Sequence, residues 1–158
     1  MSALGKWRRF RRLPGIERKM LLQALVLIPM TALALRALGF RRCQAALARL
    51  GSMRPASSEN QAQRSFEQAT LTAQMVKAAS RDGVRRGNCL EQSLVLWWLL
   101  RRQGIAGELR IGARKMAGRF EAHAWVEFLG SALNDSENVH RHYSAFDKSI
   151  VPVHGEPR

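Results

Sequence analysis

Cys89, His123 and Asp135 follow one another through the second half of this 158-residue chain. A thiolate can attack a carbonyl carbon, an imidazole can take and return the proton, and a carboxylate can hold the imidazole in the productive tautomer. The three would perform thiol acyl transfer if the fold brings them together. Each also has an ordinary explanation. A lone cysteine is often a small hydrophobe of the core, a strand histidine is often a hydrogen-bonded bystander, and "ND" at 134–135 is a common turn or strand end. The neighbouring sequence has to separate these readings.

Cys89 lies in "RRGNCLEQSLVLWWLL", residues 85–100, where a basic, glycine-containing loop runs into a very apolar segment. Asn88 suits a helix N-cap and Gly104 the position just past a C-terminus, so a helix is predicted between them. Cys89 then sits in the first turn, where outward-facing N–H groups and the helix dipole favour an anion. Arg85 and Arg86 would add to that field. Past Gly104 the apolar period falls from about 3.6 to 2. "GELRIGARK", "RFEAHAWVEF" and "SALND" read as three strands joined by turns at "MAG" and "LG". On the middle strand Phe120, Ala122, Ala124, Val126 and Phe128 form a core face, and Glu121, His123, Trp125 and Glu127 form a cleft wall. A three-residue loop over 128–130, with Gly130 left-handed, would pair Glu127 with Ser131 and set His123 opposite Asp135, their Cβ atoms about 5 Å apart. A two-residue loop would put Asp135 on the other face.

Upstream, "GSMRPASSENQ", residues 51–61, reads as a linker between an N-terminal segment, 1–54, and a catalytic domain, 55–158. Ser58 with Gln61 suits a capping box opening a helix to about Ser80, with Phe66, Ala69, Ala73 and Val76 at helical spacing. The net charge of +14 is uneven: residues 1–54 hold 12 Lys and Arg against one acid, Glu17, and residues 55–158 hold 14 against 11. The basic arm "KWRRFRRLPGIERK" leads into "MLLQALVLIPMTALAL", then into the amphipathic "RALGFRRCQAALARLG". That apolar stretch falls short of the roughly 17–25 residues of a bilayer span. Gln23, Thr31 and an expected kink at Pro29 weaken a span further. The expectation is a helix packed on the catalytic domain or lying at a membrane surface, with a span or a secretory signal as the remaining readings. Cys43 and Cys89 belong to no paired spacing. That argues against a disulfide scaffold or a four-cysteine zinc site, and for a reducing, cytoplasmic compartment.

Cysteine at a helix start, histidine on a following strand and aspartate on the next is the order of papain-like and transglutaminase-like folds, so an α+β chain with a small antiparallel sheet is expected. "NCLEQSLVLWWLLRRQG", "ELRIGARK" and "FEAHAWVE" followed by "LND" resemble the lasso-peptide biosynthesis B-protein family, transglutaminase-like leader peptidases. The likeness is strong over residues 85 to about 146 and looser over the N-terminal helix. It implies Cys89 as nucleophile, His123 as base and Asp135 as orienting acid. It also implies removal of the leader from a ribosomally made precursor peptide, before an asparagine-synthetase-like cyclase closes the ring. Some members carry a leader-binding domain; no alternating strand pattern precedes residue 55, so a separate leader-binding protein is expected. No cofactor is expected in this chain: the family is associated with ATP dependence, but no Gly-rich phosphate loop occurs. Three other readings stay open. Acyl transfer to an amine uses the same three residues. A basic membrane-surface or nucleic-acid-binding module would use the N-terminal segment alone, whereas the peptidase reading expects no nucleic-acid partner. A zinc hydrolase recruiting His123 with His140 and His142 rests on a weak H-x-H pair; His154 is the remaining histidine.

Overall fold

The computed structural model describes residues 10–50, 59–83, 87–116, 118–136 and 139–145. Ser58, Arg85, Arg86 and His154 lie outside them. Long helices come first: α1 (Gly15–Leu50), α2 (Glu59–Asp82) and α3 (Cys89–Arg102). An antiparallel sheet follows, formed by β1 (Glu108–Met116), β2 (Arg119–Phe128), β3 (Ser131–Ala132) and β4 (Ser144–Ala145), in the order β3-β2-β1-β4. The single-turn α4 (Val139–His142) leads into β4. The α+β class expected from the sequence is the one observed. β4, at two residues, is too short for any alternation to announce it.

α3 is the hub because its sequence is apolar nearly all round, which forces burial on every side. Leu94, Leu96, Trp97 and Leu100 are almost wholly buried, with Ala69, Ala73, Val76 and Ala79 of α2, Ala24 and Ile28 of α1, and Leu109 and Val126 of the sheet in the same core. The small side chains of α2 let the helices approach closely. The hydroxyl of Thr72, also fully buried, shares its one proton between Gln68 O at 2.8 Å and Gln103 Oε1 at 3.1 Å, tying α2 to the end of α3. That end is closed as its sequence predicts. Gly104 takes φ 77°, and the N–H groups of Gly104 and Ile105 return to Arg101 O and Leu100 O at 3.1 and 2.9 Å, the Schellman pattern.

The structure departs from the sequence expectation at two places. α1 continues through Pro29, and its break is at Gly39, φ 74°, ψ 170°. Proline costs the helix one hydrogen bond, and the burial of Ile28, Thr31 and Ala32 around it holds the helical path. Gly39 adopts a backbone that other residues avoid. The β2–β3 loop is also shorter than expected: Phe128 pairs with Ser131 and Glu127 with Ala132, so the loop is Leu129–Gly130. Their φ values, 51° and 77°, are the doubly left-handed pair that matches strand twist in a two-residue hairpin.

The faces of β2 also differ from the expected division. Phe120 is 81% exposed, while Trp125, on the supposed cleft wall, is fully buried. The face bearing Ala124 and Val126 meets α3 only along its second half. Trp125 is accommodated by Gly112 of β1, where an added Cβ would come within 2.9 Å of the indole and 3.0 Å of Ser144 O. Among the described residues no group of three or more His, Cys, Asp or Glu could hold a metal ion.

Candidate active site

α3 delivers Cys89 as its first residue. The cap is doubly closed: Asn88 Oδ1 accepts the Glu91 N–H at 2.8 Å, and Glu91 Oε2 accepts the Asn88 N–H at 3.0 Å. Such a capping box fixes where the helix begins. Gly87 is held just before it, its carbonyl accepting from Gln92 Nε2 at 2.8 Å and from Ser80 Oγ at 3.2 Å. The start of the helix, and with it the half-buried Cys89, is therefore tied to α2 as well as to its own first turn.

β2 delivers His123, whose Nε2 bonds Asp135 Oδ2. The two side chains are only 21% and 28% exposed. The pairing is the one expected from the sequence, but it is reached through a different register. With the two-residue loop, a continued ladder would carry Asp135 to the other face. The ladder does not continue. Leu133 N–H still reaches Val126 O at 2.9 Å, but the Val126 N–H is accepted by the side-chain Oδ1 of Asn134 at 2.8 Å. A side-chain amide thus takes the place of a backbone carbonyl, pairing stops, and the chain bends so that the next residue, Asp135, meets the imidazole. Nε2 rather than Nδ1 faces the carboxylate, which leaves Nδ1 as the nitrogen available to a thiol.

Asn134 does a second thing. Its Nδ2 donates to Ser93 Oγ at 2.9 Å, and Ser93 Oγ donates to Ala124 O at 2.9 Å. Ser93 is fully buried and stands one turn after Cys89, on the same face of α3. Ala124 follows His123. One chain of hydrogen bonds therefore joins the helix of Cys89, the strand of His123 and the bend of Asp135. Cys89 itself makes no hydrogen bond to His123 here, and such contacts commonly tighten only when substrate is bound. The sequence offered a faint signal for this strut: a serine inside an otherwise apolar buried helix, four residues after the cysteine.

Tyr143 was also missed. Its ring stacks on His123 at 4.8 Å between centroids and 28° between planes, and Trp125 stands near the same imidazole at 6.1 Å and 20°. Arg114 caps the tyrosine at 4.6 Å and is itself fixed by Glu121 at 2.6 Å. The imidazole is thus held by aromatic contacts as well as by Asp135. Burial pushes the Asp135 carboxyl up, but the hydrogen bond from His123, the Ser136 N–H at 2.6 Å and the charge of the imidazole outweigh it. The net effect is to hold Asp135 below its ordinary value, so it stays ionised and keeps the imidazole oriented. Burial raises the Cys43 thiol, as expected of an inert core cysteine.

Among known families, a model described as the transglutaminase-like superfamily matches residues 32–146. The match begins inside α1, ends just past β4 and includes Cys89, His123 and Asp135. No curated protein and no solved structure matches the chain.

Proposed function

From its membership in the transglutaminase-like superfamily, to which this chain belongs, we propose that the protein is a cysteine peptidase that removes the leader from a lasso-peptide precursor. The superfamily includes cysteine peptidases and acyl transferases. The observation that carries the proposal is the His123–Asp135 pair, stacked with Tyr143 and Trp125 and strutted to the helix that begins with Cys89. The likeness of the motifs in residues 85–146 to the lasso B-protein family supplies the substrate class.

In this reading the Cys89 sulfur, deprotonated by His123, adds to the carbonyl carbon at the leader junction. The new oxyanion is met by the Cys89 backbone N–H at the helix start. The tetrahedral adduct collapses, the C–N bond breaks, and the imidazolium gives its proton to the departing amine. The leader then remains as a thioester on Cys89. Water, losing a proton to His123, attacks that thioester and frees the leader with a carboxylate terminus. Asp135 keeps Nε2 protonated and Nδ1 available throughout. A separate leader-binding protein supplies recognition in the cytoplasm, and an asparagine-synthetase-like cyclase takes the freed amine. The test is incubation of purified protein and leader-binding partner with precursor, products being read by mass. Leader ending in a carboxylate, with core peptide bearing a free amine, is the expected result. An amide-linked product with an added amine and no hydrolysis would reassign the protein to acyl transfer. Turnover that survives Cys89→Ala would end both readings.

A further inference from the structure

The catalytic reading leaves the outer face of α1 unused. α1 is apolar on two opposite sides. Met20, Ala24, Ile28 and Ala32 are buried against the rest of the fold. On the other side Leu22, Val26, Met30 and Leu33 recur at steps of four, four and three, and stand 49, 57, 59 and 66% exposed. Single exposed aliphatic residues are ordinary, but a continuous row marks a docking surface. At the helical rise of 1.5 Å per residue the row is ~17 Å long.

Charge identifies what the row meets. Arg11, Arg12, Arg18 and Lys19 precede it and Arg36, Arg41, Arg42 and Arg49 follow it, all exposed. Glu17 is the one acid between residues 10 and 50. An apolar strip between two groups of cations complements an anionic lipid leaflet, whose acyl boundary takes the strip and whose headgroups take the cations. The same geometry disfavours a span. By length and composition α1 could cross a membrane, but threading it through the ~30 Å hydrocarbon layer would strip Ala24 and Ile28 from the core they complete.

We propose that α1 up to its break at Gly39 lies in the plane of an anionic membrane surface, outer face down, and carries the domain there as a peripheral protein. The inner face of α1 meets Gly87, two residues before Cys89, since a Cβ added there would lie 2.9 Å from Ile28 Cγ2. Docking would therefore set where the start of α3 stands relative to the lipid. The proposal does not depend on the catalytic assignment.

It is tested by sedimenting the full-length protein with phosphatidylcholine vesicles, with and without phosphatidylglycerol, at low and high salt. Binding to the phosphatidylglycerol vesicles, weakening as salt rises, is expected. Val26→Asn with Met30→Asn should cut partitioning by about tenfold or more. Arg36→Glu, Arg41→Glu and Arg42→Glu together should do likewise. Both sets are exposed, so thermal melts should match the wild type and separate lost binding from lost folding. Four results would overturn the proposal: no binding; equal binding to neutral vesicles; retention that resists both salt and alkaline extraction, the mark of a span; or a concentration-dependent dimer abolished by the same apolar substitutions.

Discussion

Asn134→Ala removes the side chain that ends the β2–β3 ladder and braces the site. Two hydrogen bonds are lost, the one from the fully buried Val126 at 2.8 Å and the one to Ser93 Oγ at 2.9 Å. A buried N–H left without an acceptor costs about 1–3 kcal/mol, and loss of the second bond roughly 0.5–1.5 kcal/mol. The sum, about 1.5–4.5 kcal/mol, is a large share of a typical stability of ~5–15 kcal/mol. Urea melts measure it directly. Ser93→Ala should cost about 1–3 kcal/mol, and because the two side chains touch, the double variant should show a coupling of about 0.5–3 kcal/mol. The bend would relax with the strut and draw Asp135 off the imidazole. Precursor cleavage should therefore lose kcat on the order of 10²-fold, with KM little changed. A stability loss under ~0.5 kcal/mol with unchanged kcat would refute the strut, and so would strict additivity of the two substitutions.

Asp135, held below its ordinary value, contributes stability above its unfolded-state value of about 3.9. That contribution is lost as pH falls through the lower native value. Acid titration of the wild type should show this loss and Asp135→Asn should lack it; identical profiles would mean that the pair does not couple to folding. Gly112→Ala should destabilise by about 1–3 kcal/mol through overpacking against Trp125, measured by thermal melt, whereas a neutral change would show that the indole has room to move. A leader-binding partner should raise cleavage most at low precursor and least near saturation, as tethering requires. Equal rates at every concentration would rule out recognition in trans.

The local features of the site were legible because their causes are local. Asn88 caps α3 and Gly104 ends it by side-chain and backbone preferences that a few residues decide, and the alternation of β1 and β2 is plain over nine and ten residues. What failed depended on contacts across the fold. A leucine with positive φ at 129 gives none of the Asn-Gly or Asp-Gly signal of a two-residue hairpin, so a longer loop looked natural. Asn134 standing in for a carbonyl could not be foreseen from periodicity, and it is what turns Asp135 back to His123 despite the shorter loop. Trp125 is buried on the face assigned to a cleft because Gly112 and the β4 segment make room for it and cover it. The row on α1 was visible as hydrophobicity, but only packing shows which of its residues the core leaves outside.

The central claim is that Cys89 forms the covalent bond to substrate. Protein mixed with precursor and leader-binding partner, quenched in acid during turnover and digested, should yield a leader-acylated peptide containing Cys89. Neutral hydroxylamine should discharge it, as it does a thioester, and Cys89→Ala should give neither adduct nor cleavage. An adduct on Cys43, or leader removal by Cys89→Ala at the wild-type rate, would contradict the account.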